Sequence, residues 1–116
     1  MTQGPAPSIS DAYTAMHQSF RWAVPNHFNM AEVCSRRWGA QADASERVAV
    51  ITHSVDGHTH THSYAELCVA ADALSHVLAS QGVQRGDRVA IVLPQRFETA
   101  VAYMAVLQLG AVAMPL

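Results

Sequence analysis

An α/β layer fold is what this sequence predicts, and three observations carry the prediction. Residues 89–93 are a continuous apolar run, β-branched at Val89, Ile91 and Val92. Such a run reads as a strand covered on both faces of a parallel sheet. From Gln95 onward the apolar period lengthens to three and four residues, as on one face of a helix. Past Gly110 a second apolar extended run begins at Ala111. Strand, helix and strand in that order make a βαβ unit.

The remaining elements follow in chain order. Residues 1–10 are rich in Pro, Gly and Ser and read as a disordered tail, leaving 11–116 as one partial domain. Asp11 is expected to cap a helix over 12–22, with Tyr13, Met16 and Phe20 on its packed face. Pro25 ends it. A second helix is expected over 29–38, with Met30, Val33, Cys34 and Trp38 on one side. Arg36 and Arg37 suit its C-terminal dipole, and Gly39 caps it. Residues 47–54 read as a strand, Asp56-Gly57 as a hairpin turn and residues 59–63 as the return strand. Ser63 with Glu66 makes a capping box for a helix that runs to about residue 81. Its apolar face holds Leu67, Ala71, Leu74 and Leu78, with Ala70 and Val77 beside them. Gly82 and Gly86 bracket the connection to the strand at 89–93, which Pro94 stops for want of an N–H. On the last helix, Phe97, Ala100, Val101, Met104 and Leu107 form the expected packed face, with Ala111 following.

Composition narrows the function classes. Half of the residues are hydrophobic and 14% are charged, enough apolar material for a core. The formal net charge of −2 gives no general attraction to nucleic acid or to an anionic membrane. Residues 99–116 carry no charge, but Gln108, Gly110 and Pro115 interrupt them, so helix-then-strand is expected and no membrane span. The start of the chain has no basic, apolar leader, and a cytoplasmic location is expected. All seven basic residues are arginines, so the chain has no lysine. Cys34 and Cys68 form no CxxC pair and both fall on expected apolar faces, which predicts buried, reduced thiols.

No cluster rises to a site. His58, His60 and His62 alternate on a strand and so share one face, where they would meet a transition metal or simply solvent. No acidic or cysteine partner is fixed beside them, and the exposed hairpin is the preferred reading over a weak metal-binding one. Gly82-x-x-x-Gly86 precedes a strand, whereas a phosphate cradle follows one. Residues 93–98 do follow a strand and open a helix, the place where open α/β sheets bind ligands. There Arg96 would meet an anion, or merely face solvent while Glu98 supports the first turn. No serine has the GxSxG context of a nucleophile elbow. No catalytic, cofactor-binding or metal residue is therefore assigned.

Several spaced motifs together resemble a known family. In order they are Ser63-Tyr64-Ala65-Glu66-Leu67, Gly82, Gly86-Asp87-Arg88-Val89, the apolar strand, Pro94 with Glu98, Gly110-Ala111-Val112 and Pro115-Leu116. This pattern is similar to the amino-terminal part of the acyl-adenylate-forming enzymes, the AMP-dependent synthetase and ligase superfamily. Upstream, Phe20-Arg21-Trp22-x-Val24-Pro25, Phe28-Asn29-x-Ala31 and Cys34 resemble its short- to medium-chain or aromatic acyl-CoA synthetases. The resemblance spans about residues 20–116. Two positions depart from it: Phe97 stands where many relatives have proline, and His62 where an aromatic is common.

The resemblance implies an incomplete N-terminal part of the large domain: two helices, a β-hairpin and an α-β-α-β unit. For the parent it implies adenylation of a carboxylic acid with ATP and Mg²⁺, transfer to coenzyme A, and a place in fatty acid metabolism. The family's phosphate-binding and catalytic motifs, two lysines included, would lie beyond Leu116. The chain is thus expected to be inactive alone, with the remaining synthetase domain covering its apolar C-terminal end. The alternative is a noncatalytic α/β module that acts by association.

Overall fold

The structure, a computed structural model, describes residues 8–116. Helix α1 (Ile9–Ser19) comes first. A π-helical turn, Glu32–Arg36, then runs into α2 (Arg37–Gly39). Strands β1 (Val48–His53) and β2 (Thr59–Ser63) lead into α3 (Tyr64–Ser80). The βαβ unit follows as β3 (Arg88–Ile91), α4 (Phe97–Gln108) and β4 (Val112–Pro115). The α/β class and the order of elements are those expected from the sequence.

Two small sheets form. β1 and β2 pair antiparallel, with Ile51 opposite Thr61 and a register shift near Val48. Gly57 turns the hairpin at φ +87°, a conformation that suits glycine. β3 and β4 pair in parallel, Arg88 beside Val112 and Ile91 beside Pro115. Gly110, at φ +70°, turns the chain out of α4 toward β4. Among the described residues each sheet has two strands.

The core lies where α3 crosses α4. Leu67, Ala71 and Ser75 meet Val101, Ala102, Ala105 and Val106, with Ile91 and Ala111 beneath and Ala31 and Ser35 at the side. Alanine and serine at these positions let the helix backbones approach closely, so shape rather than bulk fills the space. The Ser35 hydroxyl lies 3.3 Å from Cys68 Sγ. Asp72 joins three elements: Arg36 donates to its Oδ1 at 2.7 Å and Gln108 at 2.5 Å.

Several expectations are corrected. Helix α1 starts earlier, because Ser8 is its cap and Asp11 is the N3 partner in a reciprocal capping box. Residues 9 and 10, read as tail, are therefore helical; residues 1–7 lie outside the described residues. The helix also ends at Ser19 and not at residue 22, with Phe20 as its extended C-cap; Tyr13, Met16 and Phe20 are all exposed, and α1 buries none of its residues. In the second helical stretch the π-helical turn shifts the inward face to Ala31 and Ser35, leaving Met30 and Cys34 exposed. Cys68 is half-buried, and Val77 faces solvent. On α4 the buried face is turned from the expected one, adding Thr99, Ala102, Ala105 and Val106, while Phe97, Met104 and Leu107 are half-buried. β3 ends at Ile91 and is not covered on both faces, since Val92 and Leu93 beyond it are exposed.

Asn29 ties the chain together at long range. Its Oδ1 accepts from the Ala31 and Glu32 N–H groups, capping the helical turn that follows. Its Nδ2 donates to the carbonyls of Leu107 and Gln108, at the C-terminal end of α4 where carbonyls lack helical partners. Asn29→Ala removes both functions and is expected to cost about 1–2 kcal/mol. A chemical denaturation midpoint that does not move would refute this account of Asn29.

Candidate functional site

The ligand position common to open α/β sheets lies past the end of a strand, and here that is the loop from β3 to α4. The Thr99 hydroxyl donates to the Pro94 carbonyl at 2.5 Å, folding the loop onto the first turn of α4. The hairpin stands across from this loop, and between them opens a cleft of about 540 Å³. His53, His60 and His62 line one wall; Gln95, Arg96 and Phe97 line the other. The cleft continues along α4 to Thr99 and Tyr103.

One contact fixes the width of the cleft. The His62 imidazole lies flat on the Phe97 ring, with centroids 3.9 Å apart and planes 10° from parallel. These are the two positions that depart from the family pattern, and they meet each other. A planar polar ring on a planar apolar one pins the hairpin to the first turn of α4.

The histidines do not converge. His62 is engaged by Phe97, while His58 Nε2 is 3.8 Å from Asp56 Oδ2. His53 Nδ1 is 2.9 Å from the Thr59 hydroxyl. Among the described residues, no group of three or more His, Cys, Asp or Glu side chains is placed to hold a metal. Arg96 caps α4 from an extended conformation, without a side-chain capping bond, and Glu98 occupies the first turn. Among the described residues Arg96 makes no ion pair with an Asp or Glu. The cleft thus offers a guanidinium, the Glu98 carboxylate and polar groups, and its hydroxyl contacts, Thr59 with His53 and Ser54 with Asp56, are exposed on the hairpin.

Folding shifts ionisable groups elsewhere, at caps and turns. The Ser54 hydroxyl and the His58 N–H hold the Asp56 carboxyl below the usual range at the hairpin turn. Arg47 holds Asp43 down across a 2.5 Å ion pair. Glu66 is lowered first by the Ser63 N–H, at 2.7 Å, and then by the Ser63 hydroxyl; His62 adds to it. Each has a structural reason, so none of these shifts marks chemistry.

Glu66 makes stability depend on pH. Its pKa is lower folded than unfolded, so the capping box contributes fully above the ordinary value of 4.5 and is lost as pH falls through the lowered value. The thermal midpoints of wild type and Glu66→Ala are therefore expected to differ at neutral pH and to converge in acid. Parallel midpoints down to the acid limit would contradict the assignment.

A parallel βαβ unit behind a polar hairpin, with the switch-point loop between them, makes the chain an α/β protein with a ligand-type loop after β3. Residues 37–116 match the family described as AMP-binding enzyme, and the chain belongs to that family, within the acyl-adenylate-forming superfamily. It is 36% identical over 92 residues to an acetyl-coenzyme A synthetase of Burkholderia mallei (strain SAVP1), covering 79% of this chain. The match covers 14% of that relative, so the chain spans about a seventh of the curated relatives it resembles. Among solved structures it is similar to CmiS6, at TM-score 0.64 and 26% identity over 80% of this chain and 22% of the other. MatB from Rhodopseudomonas palustris aligns at TM-score 0.57 and 32% identity, over 74% of this chain and 16% of that one. A fatty acid AMP ligase from Legionella pneumophila shares the fold, at TM-score 0.63 and 20% identity, over 76% and 15% of the two chains.

The sequence pattern set Asn29 in a family-like motif at a helix start but gave no sign of its long-range bonds, and it did not point to Asp72 or to the His62–Phe97 stack. Each works through partners distant in sequence. The one signal available was that His62 and Phe97 were both departures.

Proposed function

We propose that this chain is the N-terminal scaffold of an acyl-CoA synthetase-type ligase. The parent activity would join a carboxylic acid to AMP with ATP and Mg²⁺ and pass the acyl group to coenzyme A. The observation that carries the reading is the match of residues 37–116 to the AMP-binding enzyme family, on a parallel sheet that presents open edges for further strands. In this reading the chain's own residues are not the ones that hold ATP and Mg²⁺. It has no lysine, and the described residues hold no cluster that could bind the metal. Phosphate charge is met by cations and backbone donors. In this reading such groups come from the other parts of the enzyme, which would also cover Val92, Leu93, Val112 and Leu116, all exposed here. The described residues include no helix long and apolar enough to cross a membrane. Work in the cytoplasm on fatty acid metabolism is part of the proposal and is supported by the family alone.

The 116-residue chain alone is expected to form no acyl-CoA. Incubation with acetate, butyrate or benzoate, ATP, Mg²⁺ and coenzyme A should release no pyrophosphate above blank. A chimera that supplies the remaining segment of an acetyl-coenzyme A synthetase should be active. Turnover by the isolated chain, or a well-folded but inert chimera, would count against the scaffold reading.

A further inference from the structure

We propose that Cys34 and Cys68 close a reversible disulfide, with the π-helical turn at Glu32–Arg36 as the hinge that swings Cys34 inward. The two thiols sit on adjoining elements and neither is fully buried: Cys34 is exposed and Cys68 half-buried. Ser35, the residue after Cys34, is 1% exposed, and its hydroxyl lies 3.3 Å from Cys68 Sγ. The position that faces Cys68 is therefore one residue away from the second thiol. Gly39 leaves room for Cys68, since a side chain there would collide with its sulfur.

The winding of the turn decides which of the two residues faces inward. Buried Ala31 and the Asn29 cap fix its start. With α-helical winding of about 100° per residue, the third and fourth positions beyond Ala31 fall about 60° and 40° to either side of it. Cys34 and Ser35 would then share the inner face. The observed turn is wider: the Arg37 N–H bonds back to the Glu32 carbonyl, five residues away, which carries Cys34 outward and leaves Ser35 inward. Passing that N–H to the Val33 carbonyl restores α-helical winding with no hydrogen bond lost, and turns Cys34 toward Cys68. The oxidant is a small disulfide of the glutathione class. The Cys34 thiolate attacks one of its sulfurs, forming a mixed disulfide and releasing one thiol. Cys68 then attacks the Cys34 sulfur, which forms the Cys34–Cys68 bond and expels the second thiol. Two protein thiols are oxidised, one small disulfide is reduced, and the two protons end on the released thiols. In a reducing compartment such a bond is transient, so it responds to redox state and does not hold the fold together. The inference is independent of the scaffold role.

Equilibration of the full 116-residue chain in mixtures of reduced and oxidised glutathione tests it, with alkylation of the remaining thiols and peptide mass mapping. A Cys34–Cys68 link within one chain is expected, at an effective concentration about tenfold or more above that of the same chain in concentrated urea. Cys34→Ser and Cys68→Ser should each stop at a mixed disulfide with glutathione. A wild type that also stops there overturns the proposal, as does one that links chain to chain through Cys34. Closure that is no better in the folded chain than in urea overturns it too. Hydrogen exchange reads the hinge: the Arg37 N–H should stay protected after closure, because it only changes its carbonyl. Loss of that protection would mean that the turn unfolds and does not rewind, and would overturn the hinge.

Discussion

Val106→Asp is expected to abolish the cooperative unfolding transition. Val106 is 1% exposed, on the face of α4 that meets α3. A carboxylate there loses its water and gains no partner among neighbours that are alanine, leucine and isoleucine. Burying an unpaired charge costs several kcal/mol or forces protonation, which has its own cost. A domain of this size is stable by only about 5–15 kcal/mol, and a chain with two two-stranded sheets belongs at the low end. Val92→Asp makes the same chemical change at a position 70% exposed, and should shift stability by no more than about 0.5 kcal/mol. Thermal scans of the two variants separate burial from charge. A folded Val106→Asp protein with a wild-type transition would mean that the α3–α4 packing is not the core.

The second large effect is expected at Gly39. Gly39 closes α2 against α3, and a Cβ added there would lie 3.2 Å from Cys68 Cβ and closer still to its sulfur. Space is the constraint here, not backbone freedom. Gly39→Ala should cost about 1–3 kcal/mol, as overpacking does. The cost should largely vanish in Gly39→Ala/Cys68→Ala, because removing Sγ vacates the volume that the new methyl needs. Denaturant midpoints of the four proteins form a cycle, and the coupling between the positions is the quantity read. Additive midpoints would show that Cys68 is not the obstacle.

What could be read from the sequence was what local chemistry decides. Ser63 and Glu66, three residues apart before an apolar run, named the start of α3, and the reciprocal bonds are there. Asp56-Gly57 named the hairpin turn, and Gly110 the end of α4. The start of α1 was misread although the same chemistry operates: Ser8 and Asp11 form a box like that of Ser63 and Glu66, with the shorter acid as partner. The inward face of α4 was beyond reach for another reason. Residues 99–107 are apolar on nearly every side, so no polar stripe marks the outside, and close approach to α3 selects Ala102 and Ala105. The cleft was legible only as a loop after a strand. Its wall depends on His62 meeting Phe97, and its base on Asn29 reaching Leu107, 78 residues away. Periodicity carries no information about such pairs.

β4 also bears on the solubility of the chain. Among the described residues it is bonded to β3 along one edge and to no strand along the other, with Val112 and Met114 on a segment that carries no charge. An uncharged, β-prone edge of this kind templates stacking between chains. Pro115 stands at the end of it, opposite Ile91. Having no N–H, it leaves an approaching strand without a donor there and breaks the apolar window. Pro115→Val is therefore expected to make the isolated chain more prone to cross-β growth, read as a rise in thioflavin fluorescence.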